Sequence, residues 1–188
     1  MDFLTALWLP ILLSAVFVFI ASSILHMVIP IHKGDFKKLP GEEKVLAAMR
    51  EAAVPPGMYT FPCAGSMKAC SDPEYIVRCK LGPIGFMTVM PGSDFGMGRN
   101  LVLWFLYSVL ISVLTAYVGH HAGLAPGANY LSVFRVTGTV AVLAYGVAQL
   151  NDSIWKGAPW GSTLKFVFDG VVYGLVTAGT FGWLWPEA

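Results

Sequence analysis

Ionisable and hydroxyl side chains set into apolar stretches are the residues of this 188-residue chain best placed to do chemistry. His26 follows Ser22 and Ser23 by four and three positions, so the three share one face of a helix. Asp169 stands in a second apolar stretch, four residues after Lys165, which is the spacing of an intrahelical ion pair. If His26 and Asp169 meet, they make a base and its orienting acid, because imidazole titrates near neutral pH. His26, Ser22, Ser23, Lys165 and Asp169 therefore form one candidate polar site. The competing reading is structural: Lys165 and the positive end of the helix dipole hold the Asp169 carboxylate in place.

A second group carries His120, His121 and Arg135. Arg135 lies about 15 Å from the depth of Asp169 if their helices are antiparallel, so the two do not pair. Its expected role is to hold a small anion or lipid headgroup, or simply to extend toward headgroups, with Glu187, the terminal carboxylate and Asp2 as protein anions within reach. Gly170, Gly174, Ala178 and Gly182 recur at every fourth position and form a helix-packing ridge, either inside the protein or toward another subunit. The bilayer centre is expected to be apolar.

Other chemistries find less support. Cys63, Cys70 and Cys79 lack the paired spacing of a zinc knot, and His26 and His32 are remote from them in sequence, so no metal is expected. Adjacent His120 and His121 point to different sides of a helix, and His26 belongs to the opposite leaflet, which disfavours copper and a bis-histidine haem. Gly92 to Arg99 is glycine-rich but has neither the Walker nor the dinucleotide spacing. No catalytic residue and no cofactor is assigned, and no basic face suited to nucleic acid is present.

The elements that must position these residues follow from composition. The chain is 56% apolar and 12% charged, roughly half the usual charge fraction, so much of its exterior must meet lipid. Phe3–Ile29, Leu101–Gly119, Leu131–Leu150 and Phe166–Trp185 can each span about 30 Å of hydrocarbon as helices. The first is too long for a signal-peptide core and reads as a retained anchor, although Ala21, Ser22 and Ser23 offer small residues of the kind found at cleavage sites. Nine of the 12 Lys and Arg fall between the first two spans and none between His120 and Tyr130. That asymmetry predicts both termini outside and the long connection in the cytoplasm.

The expected fold is an all-α membrane protein, a four-transmembrane-helix bundle with a small, partly β cytoplasmic domain between helices 1 and 2. Residues 1–30 carry helix 1, residues 31–99 the loop domain, and residues 100–188 helices 2–4 at 101–119, 131–150 and 166–185. Within the loop, 41–53 reads as an amphipathic helix and 55–98 as a turn-rich segment with strands near 58–61 and 84–90. Glu74 to Lys80 suits either strand or helix. Asn100, Asn129 and Ser162 or Thr163 are predicted to cap helices 2, 3 and 4.

The runs from Val133 to Val140, from Asn151 to Trp155 and from Phe168 to Gly170, with His26 to Lys38 and Gly57 to Pro62, resemble an uncharacterised family of small bacterial four-helix inner-membrane proteins. The resemblance implies a bacterial inner-membrane location and carries no activity. From the residues, the first expectation is a non-enzymatic accessory or assembly component of a membrane complex, contacting lipids and, through helix 4 or the loop, a protein partner. The alternatives are transport of a small solute or ion, and an enzyme acting on lipid or quinone through the region of His26 and Asp169.

Overall fold

The computed structural model describes residues 3–92 and 96–188. Asp2, one of the anions expected within reach of Arg135, and residues 93–95 of the glycine-rich stretch lie outside the described residues. The chain divides into two compact units. One holds the described part of Met1–Asp35 with Gly96–Ser153 and Ala158–Ala188; the other holds the described part of Phe36–Phe95 with Ile154–Gly157.

The first unit is a helix bundle. It is built from α1 (Phe3–Ser23), and then, beyond the second unit's elements, from α4 (Met97–His121), α5 (Tyr130–Tyr145), the start of α6 (Leu150–Lys156) and α7 (Trp160–Trp183). Four helical segments, Phe3–Val28, Met97–His121, Tyr130–Lys156 and Trp160–Trp183, are long and apolar enough to cross a membrane. A helix satisfies its own amides, which is what an apolar solvent demands of a spanning segment. α1 bends at Leu7 because Pro10 lacks an amide proton and its ring crowds the preceding turn. Asn129 caps α5 by accepting from the Ser132 amide, as its position predicts. The other predicted caps fail: Asn100 lies inside α4, and α7 begins after Pro159, so Ser162 and Thr163 already belong to its first turn.

Bundle packing follows the small residues. A side chain on Gly170 would overlap the Gly146 backbone, one on Gly174 would overlap Val142, and one on Gly182 would meet the Tyr130 ring. Gly138 repeats the arrangement from α5, since a Cβ there would stand 2.9 Å from Ala178. The ridge of α7 is thus seated on α5, where the missing side chains let the two helices approach closely and gain dispersion contacts.

The interior is layered. Leu7, Ile11, Ala116, Val133, Phe181 and Trp185 make an apolar cluster toward one end, and Val18, Leu25, Ile111, Ala141, Tyr145 and Tyr173 make another toward the other. Ser14, Ser112, Thr115, Thr137 and Thr177 fall between them on their helices, and all are fully buried. Ser14 donates to Ser112 at 2.8 Å, joining α1 to α4. The middle of the bundle is therefore lined with hydroxyls, contrary to the apolar centre expected from the sequence.

The second unit holds α2 (Glu42–Glu51), β1 (Gly57–Phe61), α3 (Pro73–Leu81) and β2 (Gly85–Val89). The strands pair antiparallel with Gly57 opposite Val89 and Phe61 opposite Gly85. Asp72 caps α3 by accepting from the Glu74 amide, and Pro73 opens the helix, which settles Glu74 to Lys80 as helical. Cys63, Cys70 and Cys79 are free thiols.

Candidate functional site

The residues with the most unusual surroundings gather at the end of the bundle where α1 finishes and α7 begins. Beyond Ser23 the helix widens into a π turn over Ile24–Val28, Ile29 is extended, and Pro30 opens a 3-10 turn ending at His32. A π turn shifts side chains off the α-helical register and is common where a helix serves a site. The proline prevents the α-helix from running on. His32 consequently folds back on His26, the rings stacking at 4.4 Å with 8° between their planes. Phe166 of α7 packs on His32 at 5.0 Å and closes the apolar side.

The stacked pair faces Asp169, whose carboxylate is only 2% exposed. His32 Nε2 lies 2.8 Å and His26 Nε2 3.8 Å from Asp169 Oδ2. Each imidazole is oriented through its other nitrogen. His26 Nδ1 donates to the Ser22 carbonyl at 3.1 Å, and His32 Nδ1 donates to Asp35 Oδ2 at 2.7 Å. A carbonyl or an ionised carboxylate only accepts, so both neutral rings carry their proton on Nδ1 and a lone pair on Nε2. One donor atom of each residue, the two Nε2 atoms and a carboxylate oxygen, then lies within 4.8 Å of the others.

The short contact of His32 with Asp169 is not a hydrogen bond. His32 Nε2 and both Asp169 oxygens are buried without a hydrogen-bond partner, and with the ring proton on Nδ1 the 2.8 Å contact sets acceptor against acceptor. Unpaired buried acceptors are costly. A metal ion shared by the three residues, at bonds of about 2.0–2.2 Å, would relieve the conflict, as would a proton on His32.

Behind the cluster, Asp35 accepts from His32, from Lys165 at 2.7 Å and from Ser162 at 3.1 Å, and its side chain is 3% exposed. The Lys165 ammonium, helped by His32 and Ser162, holds its carboxyl down at about 2 against the cost of burial. A carboxylate fixing a histidine that offers its other nitrogen outward is the usual support of a metal-binding imidazole.

Of the five residues assigned to this site from sequence, His26 and Asp169 come together. Ser22 contributes its carbonyl to His26, while its hydroxyl accepts from Trp104 Nε1 at 2.8 Å. Ser23 bonds back to the Phe19 carbonyl and takes no part. Lys165 pairs with Asp35 rather than with Asp169, correcting the expected intrahelical pair. His32, set aside in the sequence as remote from the cysteines, is a central member, and Asp35 was missed. The legible signal was Pro30 just ahead of His32 and Asp35 three residues after it, a turn-forming stretch directly beyond His26.

Of the other predicted group, His120 and His121 pack edge to face at 5.1 Å, while Arg135 lies elsewhere on the surface. His121 bonds to the Tyr117 carbonyl at 2.8 Å, and His120 lines a cavity of about 490 Å³ with Leu124, Trp185 and Glu187. Arg135 lines a different groove, on α5. Among protein-family models, curated proteins and solved structures, no match to the chain is found.

Proposed function

We propose that this chain is a multi-pass inner-membrane metalloprotein that holds one divalent transition-metal ion of the zinc class through His26, His32 and Asp169. The observation that carries this reading is the commitment of both Nδ1 atoms to acceptors, which leaves two Nε2 atoms free within 4.8 Å of each other and of a buried carboxylate. Imidazole and carboxylate suit zinc and its neighbours in the first transition row. Three protein ligands leave a coordination position for water or an added ligand, the pattern of catalytic rather than structural zinc. Such an ion at the end of a membrane bundle is suited to Lewis-acid chemistry on an amphiphile, which agrees with the lipid- or quinone-directed alternative more than with an accessory or transport role. The excess of Lys and Arg between the first two spans supports a cytoplasmic position for residues 31–99, with both termini outside.

The test is metal content of the full chain, purified in mild detergent with Cys63, Cys70 and Cys79 replaced by Ser so that thiols do not compete. After chelator treatment and reloading with Zn²⁺ or Co²⁺, about one ion per chain is expected, together with the visible absorption of a four-coordinate cobalt site. Asp169→Asn and His32→Gln should each abolish retention. Equal metal content in the parent and both variants would overturn the proposal.

One observation favours a second reading. His32 stands within 2.8 Å of both Asp35 and Asp169, so an imidazolium there, with Lys165, would balance the two carboxylates. The cluster would then be a structural ion-pair network. Under that reading the parent protein binds no metal, and Asp169→Asn alters stability alone.

A further inference from the structure

Two grooves run along the flanks of α7, one on each side of Leu175, which lines both. The first, about 430 Å³, lies between α1 and α7 and is bounded by Phe17, Ile20 and Ile24 on one side and by Gly179 and Trp183 on the other. The second, about 320 Å³, lies against α5 along Phe134, Gly138, Val142 and Leu143. Their walls are apolar apart from a few hydroxyls and one charge, Arg135.

Arg135 is exposed on this wall. Among the described residues no hydrogen bond or ion pair reaches its guanidinium; beyond the helix's own bonds, the Thr139 hydroxyl donates to its backbone carbonyl at 2.7 Å. No Asp or Glu lines either groove. Arg135 lies about 7.5 Å along the axis from Tyr130 at the start of α5, a depth from which a long side chain reaches the headgroup layer. Trp183 closes the first groove at the same end of the bundle, since Tyr130 packs on Gly182 of α7. Exposed tryptophans of spanning helices mark the membrane interface. Arg135 on the second groove and Trp183 on the first thus lie toward the same end of the bundle, and Leu175 joins the two grooves.

We infer that this face binds one anionic diacyl phospholipid, its phosphate paired with Arg135 and its two acyl chains lying on either side of Leu175. Guanidinium binds phosphate through two parallel N–H donors, and apolar grooves accept the chains without desolvation cost. A zwitterionic headgroup brings an ammonium for which these grooves supply no acid, so the site discriminates by charge. His120 and His121, grouped with Arg135 by sequence, are not needed. The lipid site is independent of the metal centre.

Native mass spectrometry of the delipidated full chain, titrated with phosphatidylglycerol or phosphatidylcholine of identical acyl chains, tests it. The wild type should retain phosphatidylglycerol about tenfold better, a difference of about 1.4 kcal/mol. Arg135→Gln should erase that preference and Arg135→Lys should keep most of it. Leu143→Trp, which fills the second groove, should weaken both lipids alike, and millimolar inorganic phosphate should displace neither. Equal retention of the two lipids by the wild type, an unchanged preference in Arg135→Gln, or displacement by phosphate would overturn the assignment. If Arg135→Gln does not fold, the wild-type comparison and Arg135→Lys decide it: loss of the preference in either does the same.

Discussion

His32 has an acid on each side, and the two acids do different work. Asp169 is buried without a hydrogen-bond partner and faces both Nε2 atoms, whereas Asp35 is fully engaged and orients the ring from behind. Replacing Asp35 with Asn keeps the shape but removes the charge that fixes the His32 tautomer. Metal affinity in Asp35→Asn should fall about 10- to 100-fold, with one ion still bound at saturation, as measured by competition against a chromophoric chelator. Lys165→Met removes the main cation on Asp35. It should lower the Tm of the chelator-treated protein and shift it less once metal is loaded, as read by thermal unfolding in detergent.

At the scale of elements, the helices are joined by two kinds of contact. α5 and α7 meet at glycines whose missing side chains allow backbone approach, and enlarging them forces the helices apart. Gly174→Val should destabilise the bundle by about 1–3 kcal/mol or prevent its assembly, in keeping with overpacking of a close contact. α1 and α4 are instead linked by a hydrogen bond between two hydroxyls in the buried layer. Ser14→Ala removes the donor to Ser112, and the expected loss is about 0.6 kcal/mol, because hydroxyl pairs in membrane bundles contribute modestly. Unfolding of both variants in mixed micelles compares the two contact types directly. A larger loss for Ser14→Ala than for Gly174→Val would make the hydroxyl link, rather than the glycine seat, the stronger of the two.

At the scale of the whole molecule, the free cysteines report the side of the membrane on which the second unit resides. Cys63 and Cys70 are exposed in that unit. With residues 31–99 in the cytoplasm, a membrane-impermeant maleimide should leave both unlabelled in intact cells and label them after permeabilisation. Labelling of intact cells would invert the orientation and with it the expectation of reduced thiols.

The sequence alone determined the coarse architecture: four apolar runs long enough to span a membrane, the Asn129 cap, the two short strands and the ridge of small residues. These are local properties, set by periodicity and composition within a single segment. Tertiary structure decided the site. Residues 26, 32, 35, 165 and 169 come from two distant stretches, and their meeting depends on the π turn, on the reversal at Pro30 and on the seating of α7. None of these is visible in helical spacing, which pointed Lys165 toward Asp169 and left His32 aside. The hydroxyl layer was missed for a similar reason: each helix contributes only one or two Ser or Thr, and their common depth exists only once four helices are in register.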